Sequence, residues 1–276
     1  MQIKNKLTYF IDLDGTLFDQ KGFSRISHKN LSAILIIKNF ANVVFSTGRS
    51  YSDLRVQQAM KQLSISDIIS SSGAEVYVNH KLVLANAMPN QIVQKIVDYA
   101  ISKKIVFVIY DDQQEHLYVK NKFDKFLANL TVKRWIKSIN IFNNFDINKH
   151  SQIFKIAFVF PTNLFSKKII KEIQQNFPNL INSYTASRNY VIEITDISTN
   201  KATATVEYCR INNIDLINTV HIGDSMSDAC LKGYVGKLVA MGNSTAQLKT
   251  IADEVAPNHK HGGLYKYFVQ NKVKKQ

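Results

Sequence analysis

Three residue types are scarce in this 276-residue chain, which holds two cysteines, four prolines and ten glycines. Cys209 and Cys230 cannot build a disulfide framework, and their spacing matches no metal-binding pattern. Both fall in helix-like segments and read as reduced packing residues. So little proline and glycine leaves little for flexible linkers. Acidic residues are also short: 21 Asp and Glu face 35 Lys and Arg, a formal charge of +14. That surplus favours anionic partners, and alone it leaves nucleic acid, a phosphorylated metabolite and a merely lysine-rich surface all open. Long apolar runs are missing too. The greasiest stretch, Leu31 to Phe45, is broken by Lys38, Asn39 and Asn42, short of the ~18 residues that cross a bilayer. No membrane partner is expected. The opening Met1-Gln2-Ile3-Lys4-Asn5-Lys6 carries no apolar core of a secretory signal, so a cytoplasmic location is expected.

What is present points to a globular chain, with 45% hydrophobic and 11% aromatic residues and a length that suits two domains. Leu7-Thr8-Tyr9-Phe10-Ile11 is a continuous apolar run of the kind buried on both faces of a parallel sheet. A helical pattern follows from about His28 to Phe40, then the strand-like Asn42 to Phe45. The next helix opens at Ser50-Tyr51-Ser52-Asp53, with Ser50 as its expected cap. Strand alternating with helix predicts a Rossmann-like α/β fold around a parallel sheet. The pattern returns at Thr219 to Ile222, followed by a helix from about Ser225 to Lys232, and a further strand-like run, Leu238 to Ala240. The intervening stretch has its own helix (Ile92 to Ala100) and strands (Ile105 to Tyr110, Ile153 to Phe160). An inserted α+β domain is expected over 82–184, with 1–81 and 185–276 forming the core domain. From Lys81 to Tyr184 there are 15 Lys and Arg against 7 Asp and Glu, so the basic excess is expected to sit in the insert.

Three polar motifs each follow an apolar strand, at the carboxyl edge where open parallel sheets bind ligands. The first is Asp12-Leu13-Asp14-Gly15-Thr16-Leu17. Residues two apart on an extended segment face the same way, so both carboxylates are expected to converge before Gly15 turns the chain. The second is Thr47-Gly48-Arg49, and the third is Gly223-Asp224-Ser225-Met226-Ser227-Asp228.

Asp12-Leu13-Asp14-Gly15-Thr16 resembles the DxDGT signature of the haloacid dehalogenase (HAD) superfamily, and the remaining motifs follow in order. Thr47-Gly48-Arg49 is similar to the second motif, Lys201 to the third, and Gly223 to Asp228 to the fourth. Met241-Gly242-Asn243-Ser244 and the run Asn258 to Gly263 resemble the C-terminal part of Cof-type phosphatases. Some 30 residues separate the first two motifs, too few for a cap domain, whereas 151 lie between Arg49 and Lys201. The resemblance therefore implies a C2-type cap and subclass IIB.

It also implies a Mg²⁺-dependent phosphatase of small phosphorylated metabolites such as sugar phosphates, nucleotides or cofactor phosphates. A phosphate dianion about 4 Å from a carboxylate is repelled by roughly 8 kcal/mol at an effective dielectric of 20, so an unaided aspartate could not attack it. A divalent cation and Lys201 reverse that field. By analogy Asp12 is the nucleophile and Asp14 the general acid and base, while Thr47 and Lys201 hold phosphoryl oxygens. Asp12, the backbone carbonyl of Asp14, and Asp224 are expected to bind the metal, with Asp228 behind them or acting through a water. Gly48, Arg49 and Asn243 are expected at the substrate, although Arg49 also suits a plain surface charge.

Two positions depart from the family pattern, since Ser227 and Ser72 stand where Asn is usual. Ser227 and the basic insert motivate a different reading, a nucleic-acid-binding protein on a decayed scaffold. A phosphomutase using the same site is a third. His221, between Val220 and Ile222, reads as a core histidine, and Asp111-Asp112 as a turn. Lys120 to Lys137, with Phe123, Phe126 and Trp135, reads as an amphipathic surface rather than a base-stacking platform.

Overall fold

The computed structural model describes residues 6–21, 25–133, 136, 138–186 and 189–273. Trp135, Lys137 and the tail 274–276 lie outside the described residues. The chain divides into two compact units, Met1–Leu84 with Asn200–Gln276, and Ala85–Thr199.

The first unit begins with β1 (Thr8–Ile11), α1 (His28–Ile37), β2 (Asn42–Ser46), α2 (Leu54–Leu63), β3 (Ile68–Ser70), β4 (Glu75–Val78) and β5 (Lys81–Ala85). The inserted unit follows with α3 (Asn90–Ser102), β6 (Val106–Asp111), β7 (Glu115–Val119), α4 (Lys122–Thr131), β8 (Ser138–Ile141), β9 (Ile153–Val159), α5 (Asn163–Asn176), β10 (Ile181–Ala186) and β11 (Val191–Asp196). The chain then completes the first unit with α6 (Lys201–Ile211), β12 (Thr219–Gly223), β13 (Lys237–Ala240), α7 (Ala246–Ile251), β14 (Glu254–Val255) and α8 (Gly263–Val273).

Eight strands of the first unit pair in the order β14-β13-β12-β1-β2-β3-β4-β5, parallel from β14 through β3. Side chains alternate across β1 and so feed two cores. Ile11 packs with Ile34 of α1, Met60 of α2 and Leu264 of α8, whereas Phe10 packs with Tyr208 and Cys209 of α6. Helices therefore cover both faces, which is why the strands read as unbroken apolar runs. The inserted unit has its own sheet, β10-β11-β9-β6-β7-β8, and its own core around Phe107, Phe158 and Ile192.

Four expectations need correction. The insert ends at Thr199 rather than 184, because β10 pairs antiparallel with β11, and β11 with β9, in the insert's sheet. With those bounds it holds 15 Lys and Arg against 9 Asp and Glu, six of the fourteen excess charges over 115 of 276 residues. The basic excess is thus spread along the chain in proportion to length. At the start of α2 the cap is Asp53, whose side chain accepts from the Arg55 backbone N–H, and not Ser50. The expected helix after Ser225 is a short 3-10 segment, Met226–Leu231. On α4, Phe123 and Phe126 are exposed. No helix among the described residues is long and apolar enough to cross a membrane.

Candidate active site

Register gathers the motifs. Ile11 at the end of β1 stands level with Ile222 on β12 and Phe45 on β2, so Asp12, Thr47 and Asp224 leave the sheet at one edge. The Asp12 backbone N–H donates to Ile222 O at 2.9 Å. Gly15 then turns the chain with φ +76°, and a Cβ there would lie 2.0 Å from Asp224 Oδ2. Only a residue without a side chain lets the first loop pass so close to that carboxylate.

Lys201 is the first residue of α6, whose start is held by Asn200: its Oδ1 accepts from the backbone N–H groups of Ala202 and Thr203, both at 2.9 Å. This cap aims the lysine into the site, where its side chain is 2% exposed. Nζ donates to Asp12 Oδ1 at 2.9 Å and to Asp228 Oδ1 at 2.7 Å. Asp228 is fully buried. It accepts from His221 Nε2 (2.8 Å), from the Ser225 backbone N–H (2.9 Å) and from Ser225 Oγ (3.1 Å), so both its oxygens are engaged by the protein. On β12, Gly223 leaves room for this carboxylate, since a Cβ would sit 2.3 Å from Asp228 Cγ.

The charges oppose one another. Burial pushes the Lys201 ammonium towards neutrality, but Asp12 and Asp228 outweigh it and raise its pKa. Burial also works against the Asp228 carboxylate, yet Lys201 and His221 hold its pKa well below the ordinary range. Asp12 is left with a carboxyl raised well above normal, by burial and by the negative charges of Asp228 and Asp224, with Lys201 pulling the other way. Burial and Asp228 lift Asp224 to about 7. One oxygen each from Asp12, Asp224 and Asp228 lies within 4.8 Å of the others. Three carboxylates against one ammonium leave two negative charges when all are ionised, and the donors are hard oxygens. That set fits Mg²⁺.

Asp14 departs from expectation, because its carboxylate does not join this cluster. Arg49 Nε and Nη2 grip it at 2.5 and 2.7 Å, while Arg49 Nη1 reaches Asp53 at 2.8 Å. The chain ceases to be extended beyond Asp12, with Leu17 N–H bonding back to Asp12 O, so the two-residue alternation fails and Asp14 stands about half exposed. Thr47 is buried, its Oγ1 accepting from the Arg49 N–H at 3.2 Å, and Gly48 lies between Thr47 and Arg49 in the chain. Asn243 likewise serves the protein itself. Its Nδ2 donates to Gly15 O and Asp224 Oδ2, both at 2.9 Å, and its Oδ1 accepts from the His259 N–H. Asn243 therefore positions Asp224. Ser227 shares a hydrogen bond with Ser225 (2.7 Å), and Ser72 adopts a left-handed φ of +61° in the turn after β3.

Sequence reading missed two residues that orient Asp228. His221 is a core histidine as expected, but one bonded to a site carboxylate. Ser225, three residues before Asp228, forms a capping box with it, a signal the S-x-x-D spacing carries.

A family model for haloacid dehalogenase-like hydrolases matches residues 9–268. The chain is 27% identical to the 5-amino-6-(5-phospho-D-ribitylamino)uracil phosphatase YwtE of Bacillus subtilis, covering 94% of this chain and 95% of that protein. It is 24% identical to a phosphoglycolate phosphatase of Methanobrevibacter smithii over 92% and 93% of the two chains. Among solved structures, the HAD subclass IIB sugar phosphatase BT4131 shares the fold with a TM-score of 0.81 at 17% identity, covering 97% of this chain and 100% of that one. With ordered motifs gathered at one sheet edge and a family match spanning nearly its whole length, the chain belongs to the haloacid dehalogenase-like hydrolases.

Proposed function

We propose that this phosphatase hydrolyses small phosphorylated metabolites with Mg²⁺, passing the phosphoryl group through Asp12. The observation that carries this reading is the bridge of Lys201 between Asp12 and Asp228, with Asp224 beside them. Asp12, the Asp14 carbonyl and Asp224 hold the ion, and Asp228 orients Lys201 from behind. Bound there, Mg²⁺ supplies positive charge that offsets the phosphoryl oxygens. Thr47 and Lys201 hold those oxygens while an Asp12 oxygen bonds to phosphorus and the ester P–O bond breaks. Asp14, released from Arg49 and protonated from solvent through its exposed side, gives that proton to the departing alkoxide. It then takes one from the water that cleaves the aspartyl-phosphate, restoring Asp12 and freeing phosphate. Residues 85–199 act as the cap that selects the substrate. Relatives named for a ribityl phosphate and for phosphoglycolate support phosphomonoesters of small polyols and acids.

The test is Mg²⁺-dependent release of phosphate from an aryl phosphate and from a panel of sugar, nucleotide and cofactor phosphates, with Asp12→Asn as the blank. Equal rates in variant and parent refute the assignment. Phosphate retained on a second carbon of the product, instead of freed, makes the protein a mutase. With the basic excess spread evenly along the chain, no specific observation favours the nucleic-acid reading.

A further inference from the structure

A second group of metal-type donors belongs wholly to the inserted unit. Asp111 ends β6 and, as expected, makes a turn: its Oδ1 accepts from the Gln113 and Gln114 backbone N–H groups at 3.0 and 2.8 Å. The other oxygen, Oδ2, faces two imidazoles. His116 Nε2, from β7, lies 2.9 Å away, and His150 Nδ1, just before β9, lies 2.7 Å away. One donor atom from each residue falls within 4.8 Å of the others. The rings stand at 88° with centroids 4.6 Å apart.

The far nitrogens are anchored as well. His116 Nδ1 is 2.9 Å from Ser138 Oγ, its register partner on β8, and His150 Nε2 is 3.0 Å from Tyr118 Oη. Histidines that ligate metals characteristically give their second ring N–H to such an acceptor, which fixes the tautomer and turns the first nitrogen to the ion. Hydrogen bonding alone leaves the cluster incomplete. The buried His116 Nε2 meets only Asp111 Oδ2, an oxygen it must share with His150 Nδ1, so one acceptor serves two imidazoles. A tetrahedral ion with bonds of about 2.0–2.1 Å separates its ligand atoms by roughly 3.3 Å, an opening of about half an ångström from these contacts. Beside His116 and His150 lies a cavity of ≈ 460 Å³, also lined by Asn140, Asn144 and Asp146, giving an entry path and room for water as a fourth ligand.

We propose that Asp111, His116 and His150 form a second metal site, for a divalent cation of the Zn²⁺ class, that clips β6, β7 and the segment before β9 together. Two imidazoles and one carboxylate suit Zn²⁺ and disfavour Mg²⁺. The site is independent of the phosphatase reaction.

The experiment titrates Zn²⁺ into chelator-stripped full-length protein in excess Mg²⁺, which keeps the Asp12 cluster occupied, while imidazole resonances and thermal midpoint are followed. Expected is saturation with one Zn²⁺ that moves the resonances of His116 and His150, leaves the other five histidines in place and raises the midpoint. Mg²⁺ alone should move neither ring. His116→Ala should lose at least about 100-fold in Zn²⁺ affinity, and Ser138→Ala, which removes only an anchor, about 10-fold. Unmoved His116 and His150 resonances in the parent overturn the proposal whatever the variants do, as does His116→Ala binding Zn²⁺ as tightly as the parent.

Discussion

Lys201 and Asp12 stand 189 positions apart in the chain and 2.9 Å apart in the fold, with the ammonium also bonded to Asp228. The contact is almost wholly dry, so removing the lysine leaves buried carboxylates facing one another uncompensated. Lys201→Met is expected to lose about 3 kcal/mol of stability, the scale of a broken buried pair, in urea unfolding without metal. Phosphatase activity should fall at least ~10²-fold, as when one donor to a developing oxyanion is lost. A variant as stable as the parent would place the lysine outside the charge balance.

Asp224 carries a pH dependence of definite sign. Its carboxyl is raised to about 7 in the fold, from an ordinary 3.8, by burial and by Asp228. Its contribution to the stability of the metal-free protein is thus complete below about pH 4 and is lost as pH rises through 7. Asp224→Asn should be more stable than the parent at pH 8 in chelator and equal to it near pH 4, while losing Mg²⁺-dependent activity. Mg²⁺ affinity of the parent should weaken as pH falls below 7, because the ion needs the carboxylate. Unfolding curves at the two pH values and a Mg²⁺ titration check both statements.

Gly15 and Gly233 make a controlled pair. Both have positive φ, +76° and +84°, yet a Cβ at 15 meets Asp224 Oδ2 at 2.0 Å and one at 233 meets nothing within 4 Å. Each alanine variant should lose about 1–2 kcal/mol for the left-handed backbone. Only Gly15→Ala should also weaken Mg²⁺ binding and abolish turnover, which calorimetry and a phosphate assay separate.

If Asp14 protonates the leaving group, Asp14→Asn should slow hydrolysis of an alkyl phosphate by about 10²–10⁴-fold, and that of an aryl phosphate with an acidic phenol far less. Equal losses on both substrates remove Asp14 from that role.

Much of the frame was legible because it is local. Apolar runs buried on both faces ended at Asp12, Thr47 and Gly223, and parallel pairing placed those ends side by side. Pairings between distant segments were not legible. The expected boundary at 184 cut through β10, since nothing near Ile181–Ala186 says that its partner is β11 and, through it, β9. Asp14 was expected to follow Asp12 inward, but a tight turn and the Arg49 fork redirect it. Asn243 was expected at the substrate, and its tie from Gly15 to Asp224 was not legible. Asp111, His116 and His150 fit no spacing motif, because the β6–β7 hairpin and the segment before β9, 39 positions after Asp111, must come together before they meet.

Behind Asp228, the strand position at 223 works by what it omits. Its missing carbon is the mould into which a carboxylate is cast, and any larger residue would push that group off both Lys201 and His221. One base change in a glycine codon is therefore enough to retire the catalyst while every ionisable residue survives.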